Sequence, residues 1–160
     1  LFVGERGTGK ELVAARLHYL SQRWEQTFLK INCAAMSETL LEAQLFGHEA
    51  GAYTGATKQR KGFFERAHGG TLFMDELANT PMPVQEKILR VIEYGEFERL
   101  GGNETLYVDV RIVGATNEDL PYLASQGRFR EDLLDRLAFD VVTLPPLRER
   151  AEDILAPIHI

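Results

Sequence analysis

The chain has 160 residues, 44% of them hydrophobic and 26% charged, with a net charge of −6. That composition suits one globular domain with a real core, and its acidic balance argues against these residues making a nucleic-acid contact. No apolar run approaches the roughly 20 residues of a membrane span, no basic leader opens the chain, and the single cysteine, Cys33, rules out an internal disulfide and suits a reducing, cytoplasmic setting.

Strand-like and helix-like segments alternate, the pattern of a three-layer α/β domain with a mostly parallel central sheet. Residues 1–3 read as a strand stub that runs into a Gly-rich turn. With no initiator Met before it, the chain is expected to be part of a longer protein. A helix is predicted over 10–20, with Leu12, Val13, Leu17 and Leu20 at helical spacing. A strand follows over 28–32 and a helix over 38–46, and 47–62 reads as a Gly- and Lys-rich inserted loop. A short buried strand over 71–74 ends in two carboxylates, after which Thr80 and Pro81 open a helix as N-cap and N1. That helix turns Val84, Ile88, Val91 and Ile92 to the core. Residues 108–115 form another strand with Thr116-Asn117 at its end, helices follow over 119–125 and 131–137, and a last strand over 140–144 stops at Pro145-Pro146.

The run Gly4-Glu5-Arg6-Gly7-Thr8-Gly9-Lys10 follows a strand and opens a helix. That context makes the glycine-rich string a phosphate site, because backbone N–H groups converge where side chains would block approach. The helix N-terminus adds partial positive charge, and Lys10 offers a cation to β- and γ-phosphates. Glu11 stands where Ser or Thr commonly ligates Mg²⁺.

Asp75 and Glu76 end a hydrophobic strand, and in a parallel sheet the C-terminal strand ends share one edge. The pair is therefore expected beside the phosphate loop. Asp75 would hold Mg²⁺ through water, and Glu76 would orient or deprotonate the attacking water. Thr116 and Asn117 offer polar groups on the same edge. Arg130 and Arg136 are candidates for a charge given to a neighbour's γ-phosphate. Six residues apart on one helix they would point about 120° apart, so both make that contact only if the helix begins after Arg130. His18 and Cys33 read as packing residues, and His48, His68 and His159 show no metal-ligand spacing with the cysteine. Lys58, Arg60 and Lys61 read as solvated loop charges, and Trp24 as structural.

Gly51-Ala52-Tyr53-Thr54-Gly55-Ala56 resembles the GAFTGA signature of the sigma-54-dependent enhancer-binding activators of the AAA+ superfamily. The resemblance extends through Asn32-Cys33-Ala34-Ala35, EAQLFGHEAG (42–51), GFFERAHGGTLFMDEL (62–77), Arg99-Leu100-Gly101-Gly102, FREDLLDRL (129–137) and LPPLRERAEDI (144–154). It covers practically the whole chain. It implies a P-loop ATPase using ATP and Mg²⁺, with a Walker A motif that commonly ends in Lys-Glu, as Lys10-Glu11 does here. It further implies Asp75 and Glu76 as the Walker B pair, Asn32 as a switch restraining Glu76, and Thr116 and Asn117 as the first sensor. By the same resemblance Arg130 and Arg136 act across a subunit boundary in a hexameric homo-oligomer, and residues 51–56 contact sigma-54 on RNA polymerase holoenzyme.

Tyr53 stands where the family has Phe, on a tip expected to be flexible. Residues 98–107 resemble a second mobile loop, and Trp24 a position of contact with a regulatory partner. A helical lid and a DNA-binding domain, which the family carries, are expected outside this chain. Two rival readings stay open: another AAA+ motor, from which the GAYTGA insertion separates it, and an ATP-gated binding module without turnover, against which the intact Asp75-Glu76 pair speaks.

Overall fold

The computed structural model describes residues 1–150. His159 and the 151–154 part of the motif over 144–154 lie outside the described residues.

Five parallel strands form the central sheet in the order β2-β3-β6-β1-β7: β1 (Phe2–Val3), β2 (Phe28–Asn32), β3 (Thr71–Asp75), β6 (Arg111–Thr116) and β7 (Val142–Thr143). Side chains alternate across a strand, so β3 feeds two cores at once. Leu72 and Met74 face the larger core, built with α2 (Glu38–Phe46), α4 (Met82–Tyr94), α5 (Leu120–Ser125) and α6 (Glu131–Leu137). Phe73 faces the smaller one, under α1 (Lys10–Tyr19), with Phe2, Ala14, Val113 and Ala115. Three layers result, as the alternation predicts. No helix among the described residues is long and apolar enough to cross a membrane.

The first helix departs from expectation. Its buried positions are Lys10, Ala14 and His18, spaced by four along one face, while Leu12, Leu17 and Leu20 point outward, Leu12 with 65% of its surface exposed. Ala14 is small enough to let the helix lie close on Phe73, and His18 Nδ1 meets Thr71 Oγ1 at 2.9 Å. The outward leucines border an open apolar groove beside Phe139 and Val142. Trp24, read from the sequence as structural, is exposed and rests edge-on against Tyr19.

Several boundaries shift for local reasons. Thr80 does not cap α4: Pro81 occupies the N-cap and Met82 begins the helix, with Pro83 in its first turn. Gly95 ends α4 at φ 68 and receives the Val108 N–H on its carbonyl at 2.7 Å. That bond ties Val108 to the end of α4 and away from the central sheet, and β6 begins at Arg111 rather than at 108. The last strand likewise shortens to Val142–Thr143.

The segment over 98–107, which resembles a second mobile loop, belongs to an antiparallel hairpin, β4 (Glu96–Glu98) paired with β5 (Thr105–Tyr107). Its tip is fastened to the inserted loop. Leu100 N–H donates to Gly47 O at 3.0 Å and Glu49 N–H to Leu100 O at 3.0 Å. Arg99 forks onto Glu65 (2.9 and 2.7 Å), on α3 (Phe63–Arg66), and reaches Glu49 at 3.0 Å. At the base of the loop Gly62 lies against the backbone of Leu45 and Gly47 so closely that a Cβ would sit 2.3 Å from Gly47 N. Only glycine fits there.

Because Phe73 fills the gap between sheet and α1 with 1% exposure, Phe73→Ala is expected to cost about 3–5 kcal/mol of stability. Urea unfolding checks this as a lowered midpoint with an unchanged slope.

Candidate nucleotide site and partner loop

The phosphate loop leaves β1 at Gly4, whose N–H donates to Thr116 O at 3.1 Å. Its turn is made by Gly7 (φ 78) and Gly9 (φ 80), both in the left-handed region that favours glycine, and Gly9 is the N-cap of α1. Lys10 Nζ donates to the carbonyls of Gly4 and Glu5 at 2.8 Å each. Its ammonium pKa is pushed down by burial and by the neighbouring Arg6, and drawn up by Asp75 and Glu76. Thr8 Oγ1 donates to Glu5 O at 2.9 Å.

Two arginines that carried no assigned role in the sequence hold this loop from behind. Arg148 forks onto the Glu5 carboxylate at 2.8 and 2.9 Å, and its hydrogen bonds hold the Glu5 carboxyl below the ordinary range. Arg150 donates to Thr8 O. Both come from the Leu-Pro-Pro-Leu-Arg-Glu-Arg run after β7, so the motif was legible while its target was not. Glu11 pairs with Lys30 on β2.

Asp75 and Glu76 stand at the end of β3, one strand removed from β1 across β6. Asp75 Oδ1 accepts the Glu76 N–H at 2.8 Å. Glu76 is the one non-glycine among the described residues with positive φ, at 50. A left-handed backbone at a non-glycine residue is strained, and it turns the Glu76 side chain off the strand axis at the sheet edge. Its carboxylate meets the Arg6 guanidinium at 3.6 Å. Asn32 is the register partner of Asp75, and its Oδ1 accepts the Ala34 N–H at 2.8 Å. Thr116 is fully buried and its Oγ1 accepts the Glu118 N–H at 2.9 Å; Asn117 follows it at the strand end.

The edge thus gathers Gly4 to Lys10, Asn32, Asp75, Glu76, Thr116 and Asn117. Cys33, next to Asn32, is buried, and burial pushes its thiol up to about 11. Among the described residues no three His, Cys, Asp or Glu side chains form a metal cage. The donor set at Asp75 and Glu76 fits Mg²⁺, which takes one or two carboxylates and fills its shell with water and phosphate oxygens.

Arg130 and Arg136 lie apart from that edge. Arg130 is the N-cap of α6, so the helix does begin after it, and its guanidinium forks onto Asp132 at 2.9 and 2.7 Å. Arg136 meets Glu93 at 3.1 and 3.0 Å. Gln85, unremarked in the sequence because it sits on an apolar helix face, is fully buried. It donates to Thr80 O at 2.7 Å and accepts the Arg130 N–H at 2.8 Å, setting where Arg130 leaves the core.

The tip over 51–56 is a compact turn rather than a loose one. Gly51 N–H donates to Ala56 O at 2.7 Å and Ala56 N–H to Tyr53 O at 3.0 Å. Gly51 (φ 80) and Gly55 (φ 101) supply the reversals. Ala56 is buried, Ala52 lies against Gly101 of the hairpin, and the Tyr53 ring stands edge-on to His48 at 5.1 Å, with Thr54 exposed beside it. Lys58, Arg60 and Lys61 are exposed as expected, although the Arg60 backbone pairs with His48.

The profile of the sigma-54 interaction domain matches residues 1–143. The Psp operon transcriptional activator of Escherichia coli K12 is 68% identical over 155 residues, which is 97% of this chain and 48% of that protein. The Nif-specific regulatory protein of Azotobacter vinelandii is 58% identical over 96% of this chain and 30% of its own length. The chain therefore spans half or less of these relatives. NtrX from Brucella abortus, solved in complex with ADP, superposes with a TM-score of 0.87 at 41% identity, covering 96% of this chain and 33% of that one. A reconstruction of Hsp104, at 19% identity and a TM-score of 0.67, shares the fold alone. The architecture is that of the AAA+ P-loop domain, and the chain belongs to the sigma-54 interaction domain family.

Proposed function

We propose that this chain is the ATP-hydrolysing core of a bacterial transcription activator that remodels sigma-54 RNA polymerase holoenzyme. The observation that carries the reading is the meeting of the phosphate loop, Asp75-Glu76 and Thr116-Asn117 at one sheet edge. A chain segment with a compact aromatic tip leads away from that edge. Loop N–H groups and Lys10 bind the triphosphate, with Lys10 exchanging its carbonyl partners for phosphate oxygens. Asp75 would hold Mg²⁺, which when bound would supply charge neutralisation to the phosphates. Glu76 takes a proton from the attacking water as its oxygen bonds to the γ-phosphorus and the bond to ADP breaks. Thr116 and Asn117 present polar groups to the γ-phosphate.

The domain works in a hexameric ring, in which Arg130 and Arg136 leave Asp132 and Glu93 to meet a neighbour's nucleotide. Coupling to the partner runs through Asn32 and α2, the one helix between the sheet edge and the loop base at Gly47. ATP and ADP states move the Tyr53 tip only through differential affinity for its two positions. The lid, the regulatory part and the DNA-binding domain belong to the longer protein, which acts in the cytoplasm where its polymerase is.

Glu76→Ala is expected to bind ATP yet lose nearly all phosphate release, measured as a time course on the full chain. Undiminished turnover removes Glu76 from the role of base, and absent turnover in the parent leaves an ATP-gated binder. The partner is tested by capture of purified sigma-54, expected with ADP–aluminium fluoride and not with ADP. Tyr53→Ala should abolish capture while keeping phosphate release; loss of both would make Tyr53 a structural residue.

A further inference from the structure

The contact between Arg6 and Glu76 joins a phosphate-loop side chain to the residue read as general base. The Glu76 backbone is fixed. Its N–H is held by Asp75 Oδ1 at 2.8 Å and its carbonyl accepts the Asn79 N–H at 3.0 Å, while its φ of 50 turns the residue off the strand. What remains free to move is the side chain, and its ion-pair partner is a guanidinium 74% exposed to solvent. Such a pair is weak, because the Arg6 guanidinium keeps most of its hydration and solvent screens its charge. A weak pair is suited to exchange rather than to stability.

Arg6 also acts on Lys10 as a like charge. Two cations therefore converge from the same loop on the place where a polyphosphate would lie. Lys10 is anchored to loop carbonyls and Arg6 to the opposing carboxylate. An arriving γ-phosphate competes with Glu76 for Arg6, and a guanidinium prefers the more highly charged partner.

We propose that Arg6 is a positioning residue that reads the γ-phosphate. It holds the Glu76 carboxylate toward the phosphate loop, exchanges that carboxylate for the γ-phosphate when ATP binds, and so releases Glu76 to the attacking water. The inference rests on the ATP reading above. It differs from an arginine acting across a subunit boundary, since Arg6 and Glu76 belong to one chain and one site.

The test is a double-mutant cycle on nucleotide affinity in the full chain, using Arg6→Gln, Glu76→Gln and the double variant. The ligands are a non-hydrolysable imido analogue of ATP and, separately, ADP. In the parent, Arg6 must leave Glu76 before it meets the γ-phosphate; in Glu76→Gln it starts free. Arg6→Gln should therefore weaken binding of the ATP analogue about three- to fivefold more in the Glu76→Gln background than in the parent, the scale of a partly exposed ion pair. For ADP the two backgrounds should show the same Arg6→Gln effect. Arg6→Lys, which keeps the charge and loses the fork, should restore part of the coupling.

A mere structural role for Arg6 would weaken both nucleotides alike. Equal Arg6→Gln effects on the ATP analogue in the two backgrounds would overturn the proposal while leaving the ATP site intact. Failure of the parent to bind either nucleotide would overturn the nucleotide reading itself, and the proposal with it.

Discussion

Parallel pairing of β1 and β3 on either side of β6 is the constraint on which the rest of the site depends. Gly4 is tied to Thr116 by a backbone bond of 3.1 Å, and β3 runs beside the same strand from Thr71 to Met74. With all the strands pointing one way, their C-terminal ends fall on one edge. Residues far apart in sequence thereby arrive together through the order and direction of the strands. The hydrophobic alternation of β3 enforces the arrangement, because a slip of one residue would exchange Phe73 with its neighbours and expose each core to the wrong face.

On that edge the charges are arranged for exchange more than for permanence. Lys10 rests on carbonyls and Glu76 on a largely solvated arginine, and away from the edge Arg130 and Arg136 rest on carboxylates of their own chain. Exposed pairs of this kind add little to stability. The firmer attachment lies elsewhere. Arg99 fastens hairpin, loop and α3 to one another with its side chain nearly buried, while Arg148 and Arg150 reach the phosphate loop from the 144–150 run, Arg148 through an exposed pair with Glu5. The Tyr53 tip thus extends from a braced platform, and α2 is the chain's direct connection from that platform to the sheet edge.

Much of this was legible in the sequence where local chemistry decides it. The glycine-lysine loop, the acidic pair at a strand end and the bounds of α2 and α6 follow from spacing, turn residues and strand termination. What escaped has a shared physical cause. The partners of Arg99 and Arg148 are set by tertiary geometry across 34 and 143 residues of chain, which no local pattern encodes. The first helix misled because a helix lying close on a sheet buries small Ala14 and a hydrogen-bonded His18, while its larger leucines turn out. The hairpin over 96–107 escaped because its strands are short and mostly polar, and the closed tip over 51–56 because glycine permits both a loose loop and a tight turn.

The central claim is that this edge binds the phosphates of ATP through the loop ending at Lys10. Calorimetric titration of ATP into the parent and into Lys10→Ala measures it most directly. The account predicts binding by the parent and a loss of about ten- to a hundredfold in Lys10→Ala, the scale of one charge-assisted hydrogen-bonding group. Equal affinity in the two proteins would contradict it.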